Sequence, residues 1–252
     1  MRVSHVKRLH ECVADRTKCR RRTSMQGMQW LTAHLKAHAL IFERRARERY
    51  AAAAGLRLLA VFLLLEGILG PRVASPPLML AAALLLIRYA ARVRLAEIGF
   101  YRWRDWTTSE KAYLIQIVPL AIAIFAMIAG SRLQAIAAEP SIWTTAALTS
   151  VSYLVWGFYQ EVMYRGILQT EMVRRFGTAA GVVVANLAYT FGPLHLYYFK
   201  TYDPPMLFGL FAAVFLVGLF FGALFHRSGN LVIVGVLHGI GDVFLTGLPQ
   251  LA

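Results

Sequence analysis

Two histidines, two carboxylates and an arginine stand in apolar surroundings, at spacings that let them share helix faces. Glu161 and Arg165, within Gln160-Glu161-Val162-Met163-Tyr164-Arg165, are four residues apart. They share a helix face and can pair. His238 and Asp242 repeat that spacing further along, and His195 closes the stretch Phe191-Gly192-Pro193-Leu194-His195. Ionisable groups are costly beside hydrocarbon and mark functional positions there. Such groups can serve as general acids and bases, as donors to a developing negative charge, or as metal ligands. A second assembly uses His195, His238 and Asp242 as zinc ligands, with Glu161 as base. Zinc is therefore the alternative cofactor, and the favoured reading requires none.

These residues must be positioned by membrane helices. The 252-residue chain is 58% hydrophobic and 16% charged, with mean hydropathy +0.53. Soluble domains carry about 25% charged residues. The expected fold is all-α: a polytopic helical membrane protein with about seven transmembrane helices and a basic N-terminal amphipathic segment. Residues 1–50 form the basic cytoplasmic arm and amphipathic helix, and 51–252 form the membrane domain. Expected spans are Ala51–Gly70, Pro77–Val93, Ala112–Gly130, Trp143 to about Arg175, Ala179–Phe199 broken at Gly192-Pro193, Met206–Phe225 and Leu231–Leu248. Arg88–Lys111 is expected as an interfacial loop anchored by Trp103 and Trp106. Ser131–Ser141 is expected as a loop.

The net charge of +14 raises nucleic acid as a partner, but 13 of the 27 Lys and Arg lie in residues 1–50 and most others fall between apolar spans. That is the pattern of membrane topology, with the arm drawn to anionic lipid; no nucleic-acid partner is expected. With seven spans, the segments on the N-terminal side hold 22 Lys and Arg against 3 on the other side. The N-terminus is therefore expected in the cytoplasm and the C-terminus outside, in a bacterial inner membrane. The first residues lack the apolar stretch of a secretory signal peptide. Cys12 and Cys19, with His10, match no standard zinc spacing and read as reduced thiols.

Taking the fourth and fifth spans as an antiparallel pair joined near Gly177, Glu161 lies 16 residues before the joint and His195 lies 18 after it. Both then sit roughly 24–27 Å from the turn. His238 and Asp242 reach a similar depth if the last helix tilts.

The motifs resemble those of the CPBP intramembrane proteases, the group containing CAAX-processing endopeptidases and Abi-like bacteriocin-immunity proteins. That family's pattern is Glu-Glu-x-x-x-Arg, Phe-x-x-x-His and His-x-x-x-Asn or a similar polar residue. The chain shows Gln160-Glu161-x-x-x-Arg165, Phe191-x-x-x-His195 and His238-x-x-x-Asp242. The resemblance spans about residues 140–245. It implies that a glutamate and His195 activate water, and that His238 with the following polar residue stabilises the oxyanion. It also implies a membrane-anchored or lipidated substrate cut near its C-terminus. Two positions depart from the pattern. Gln160 replaces the first glutamate, and an amide cannot take a proton from water. Glu161 is the expected replacement, although it lies about 100° round the helix. Asp242 replaces the common Asn; as an anion it is a poor oxyanion donor and is expected to orient or charge His238, or to be protonated. Arg165 is expected to hold a carboxylate in place, and Phe191 to pack and shape the substrate groove.

Plainer alternatives stand beside these. Glu161 and Arg165 form a purely structural ion pair, or each histidine only bonds two helices together. The rival function is a catalytically inactive binding, immunity or scaffold protein. Glu171, Arg174 and Arg175 read as an exposed helix end, Glu66 as a residue that snorkels or faces protein, and Asn186 has no assigned role.

Overall fold

The computed structural model describes residues 52–69, 75–199 and 202–249, all within one unit spanning 45–252. The basic arm and its amphipathic helix fall outside the described residues. Every regular element among the described residues is helical. We number them α1 (Ala52–Phe62, continued by the π-helical Leu63–Leu69), α2 (Pro76–Ala90), α3 (Thr108–Ile128), α4 (Gly130–Ala138), α5 (143–176), α6 (Thr178–Phe191), α7 (Pro193–Phe199), α8 (Pro204–Ser228) and α9 (Leu231–Gly247). Each of the seven expected spans is helical over most of its described residues; the second ends at Ala90, short of the expected Val93. Among them α3, with 21 residues, and α8, with 25, are long and apolar enough to cross a bilayer unaided; α2, α6 and α9 are shorter apolar helices.

The boundaries follow local chemistry. Thr107 and Glu110 form a reciprocal capping box that starts α3. Gly177, at φ 79°, ends α5 where a side chain would be strained. Gly192 is extended, as the residue before a proline must be, and Pro193 opens α7 with its fixed φ. Gly229 ends α8 in the left-handed region, and the Asn230 side chain accepts from the amide of Val232 to start α9. Asn230 also donates to Glu110 at 3.1 Å, tying the start of α9 to the start of α3.

Two expectations are corrected. Gly130–Ala138 is helical, and Pro140–Ile142 adds a 3-10 turn, where a loop was expected. Leu133 to Ala138 are good helix formers, and only their flanking Gly and Pro signal a break. The loop after α2 contains two 3-10 turns, and of its tryptophans Trp103 is exposed while Trp106 is buried against Phe221, Ile233 and Leu237. Trp106 is therefore a packing residue.

α5 lies at the centre, with α9, α2, α6 and α1 packed around it. Its middle changes register: Trp143–Glu161 is α-helical, Val162–Gln169 is π-helical, and Thr170–Phe176 returns to α; α1, α2 and α9 end in shorter π stretches. All eight residues of the π stretch are buried. Such wide turns concentrate at functional positions. The Thr170 hydroxyl donates to the Arg165 carbonyl where the ladder changes. The core around α5 includes Leu58, Leu65, Met79, Ile87, Met163, Ile167, Phe225 and Leu231. Large apolar side chains such as Ile115, Met127, Leu148, Phe208 and Leu216 point outward. An apolar exterior around a polar centre is the arrangement that suits a lipid solvent.

Candidate active site

Two consecutive residues of α5 reach the same neighbouring helix. Glu161 Oε1 accepts a hydrogen bond from His238 Nδ1 at 2.7 Å, and Gln160 Nε2 donates to Asp242 Oδ2 at 3.3 Å. They are about 100° apart round α5, so both reach α9 only if the two helices nearly touch. They do touch, at Gly157 and Gly239: a Cβ placed on Gly157 would lie 2.7 Å from the Cα of Gly239. Gly235 and Gly239 are four apart, the small-residue spacing that lets membrane helices approach closely.

A second layer fixes the acid. Arg165 Nη1 lies 3.2 Å from Glu161 Oε1, its Nη2 donates to the Gly218 carbonyl at 3.0 Å, and the guanidinium sits 4.2 Å over the Tyr189 ring. One turn on, Gln169 Nε2 donates to the Gly222 carbonyl at 2.8 Å. The α5 residues 165 and 169 thus dock on two glycines of α8, also four apart. The Asn186 amide donates to the Phe215 carbonyl, and its oxygen occupies the space a Gly218 side chain would need.

His238 is held on every side. Its Nε2 lies 3.2 Å from the Tyr189 hydroxyl and 3.6 Å from Asp242 Oδ1, and its ring stacks on Phe221 with centroids 5.2 Å apart. His195 takes a different position. The chain turns at Gly192-Pro193 so that His195 Nδ1 donates to the Tyr189 carbonyl at 2.8 Å, and its ring packs edge-on against the Tyr189 ring. A carbonyl oxygen only accepts, so the proton sits on Nδ1 and Nε2 presents its lone pair. Tyr189 therefore separates the imidazoles and touches both.

The structure brings the three motifs together: Glu161 meets His238 and Arg165, Gln160 bonds Asp242 beside them, and His195 reaches the group through Tyr189. Phe191 does not pack into that network. It is half exposed and its ring lies against Phe211 of α8, 5.0 Å away. Glu171 is buried and paired with both Arg174 and Arg175, at 2.5 and 2.6 Å, where an exposed helix end was expected. Gly55 of α1 packs directly over its carboxylate, which closes it off.

Several members of the site were not anticipated. Tyr189 is the pivot of the histidine pair. Glu66 of α1 is buried and accepts hydrogen bonds from Tyr159 at 2.9 Å and Tyr164 at 3.0 Å. Tyr164 in turn packs edge-on against Tyr189. The available signal was polar-tipped aromatics on apolar helices, which need a partner when buried.

Residues 140–244 match the family model for type II CAAX prenyl endopeptidases, Rce1-like. This domain contains every site residue named above except Glu66 and agrees with the CPBP resemblance of the motifs. No curated protein and no solved structure matches the chain. The match covers 105 of the 252 residues and is a likeness to a family of membrane-embedded proteases. No group of three His, Cys, Asp or Glu among the described residues is placed to hold a metal ion. His238 Nδ1 is taken by Glu161 and the His195 ring is turned onto Tyr189. The side chains as arranged do not fit a zinc set.

Proposed function

We propose that the protein is an intramembrane endopeptidase. It hydrolyses a peptide bond near the C-terminus of a membrane-anchored or lipidated substrate, using water activated by the residues of this pocket. The observation that carries the reading is His238 clasped between Glu161 of α5 and its own helix neighbour Asp242, inside an apolar helix cluster. A purely structural ion pair needs only Glu161 and Arg165. It does not account for a second carboxylate, an amide and two imidazoles drawn to the same place.

The chain's own groups supply each requirement. His195 Nε2 offers a lone pair that can hold the attacking water by one of its hydrogens. Glu161 holds His238 and Arg165 in register. The Gln160 amide is a donor for the oxyanion, while His238 gives its Nδ1 proton to Glu161. Such preorganised donors are worth most where water is excluded. The basic arm adds attraction to anionic lipid. The N-terminus lies in the cytoplasm, as the charge bias favours.

The rival is a binding or immunity protein that holds a membrane peptide without cutting it; the amide at position 160 favours it. The test is cleavage of membrane-anchored peptides by the purified protein in liposomes, read by mass spectrometry. Wild type gives defined products. His195→Ala and Glu161→Gln each lose turnover by on the order of 10²–10⁴-fold while still inserting. Binding without cleavage by wild type would hand the case to the rival.

A further inference from the structure

Within the endopeptidase reading, we infer that the base and the oxyanion donor have changed places across one hydrogen bond: Asp242 takes the proton from water, and the Gln160 amide stabilises the oxyanion. The family pattern carries Glu at the position of Gln160 and commonly Asn at the position of Asp242. Here the amide is on α5 and the carboxylate on α9, and the two side chains bond to each other, Gln160 Nε2 to Asp242 Oδ2 at 3.3 Å. The pocket keeps one carboxylate and one amide in contact, with their helices exchanged.

Glu161 is badly placed to be the base. Its side chain is completely buried, and Oε1 is shared by His238 and Arg165. Oε2 is sealed from solvent and has no partner among the described residues. A group so enclosed cannot receive a substrate water; it is a positioning residue for His238 and Arg165. The Asp242 side chain keeps 22% of its surface open. Its Oδ2 is oriented by Gln160, while Oδ1 lies 3.6 Å from His238 Nε2, outside hydrogen-bond range and ready to accept from a water. Gln160 must present nitrogen to that carboxylate. Its second N–H has no acceptor among the described residues, so it remains for a new anion.

The step balances. A water oxygen attacks the scissile carbonyl carbon, and one water proton passes to Asp242. The carbonyl π pair moves onto oxygen, where the free Gln160 N–H meets it. On collapse that pair re-forms the carbonyl, the C–N bond breaks, and the proton on Asp242 goes to the leaving nitrogen. The products are a carboxylic acid and an amine, and Asp242 is again a carboxylate.

The test is a reciprocal exchange, with kcat and KM measured on the liposome substrate. Asp242→Asn should lower kcat by on the order of 10²–10⁴-fold. The double variant Gln160→Glu/Asp242→Asn should return to within about tenfold of wild type. Gln160→Met, which keeps size but removes the donor, should lower kcat about 10²–10³-fold with KM little changed. It stands as a separate test if Asp242→Asn fails to insert. Wild-type kcat in Asp242→Asn or Gln160→Met, or a double variant no better than Asp242→Asn, would overturn the exchange while leaving hydrolysis intact. A wild-type protein that binds but never cuts would instead overturn the endopeptidase reading beneath it.

Discussion

At the scale of single residues, the site rests on a buried cation. Arg165 faces Glu161, donates to the Gly218 carbonyl and covers the Tyr189 ring. Burying an ion pair yields little net stability, but removing one partner strands the other. Arg165→Met should therefore destabilise the protein by about 3–5 kcal/mol, seen as a lower thermal midpoint in detergent. Arg165→Met/Glu161→Gln should recover part of that loss and remain inactive. An unchanged midpoint in the single variant would mean the pair is not formed in the folded protein. The pairing of residues 161 and 165 was legible from spacing alone, as was the pairing of 238 and 242. What spacing does not contain is which nitrogen or oxygen meets which. That detail separates Asp242, open and oriented by Gln160, from Glu161, sealed between Arg165 and His238. Tyr189 and Glu66 escaped notice for a related reason: one tyrosine or one acid in an apolar run looks the same whether it meets a partner or the bilayer edge.

At the scale of elements, the site depends on how closely α5 and α9 approach. Gly157 and Gly239 meet backbone to backbone, and that closeness brings residues 160 and 161 to 242 and 238 together. Gly157→Leu should force the helices apart, at a cost of about 1–3 kcal/mol for overpacking. It should abolish cleavage even though no catalytic side chain is changed; full activity in that variant would show that the crossing is not needed. Helix existence was readable from apolar runs, and the stops at Gly177, Gly192-Pro193 and Gly229 from turn chemistry. The π stretch of α5 was not readable, because a shift of hydrogen-bond register leaves no periodic mark over eight residues. Helix α4 was missed because its Gly and Pro flanks outweighed a short run of good helix formers.

At the scale of the whole molecule, polarity is arranged inside out. Ionisable groups meet at the centre, and large apolar side chains point outward from α3, α5 and α8. Composition and hydropathy alone made this class legible, and three motifs in order made the site legible to within a few residues. The proposed hydrolysis requires that water be admitted to this buried cluster. Because the donor groups as placed do not form a metal set, activity should persist unchanged in excess chelator, and purified active protein should contain no stoichiometric zinc. Loss of activity reversed by added zinc would contradict that arrangement.

The most direct measurement is cleavage of a membrane-anchored peptide in ¹⁸O-enriched water, with mass analysis of both fragments. An ¹⁸O atom is expected in the new C-terminal carboxyl of the product made by wild type, with product from His195→Ala reduced on the order of 10²–10⁴-fold. Intact peptide with the wild-type protein, or products whose new carboxyl carries no oxygen from the solvent, would contradict it.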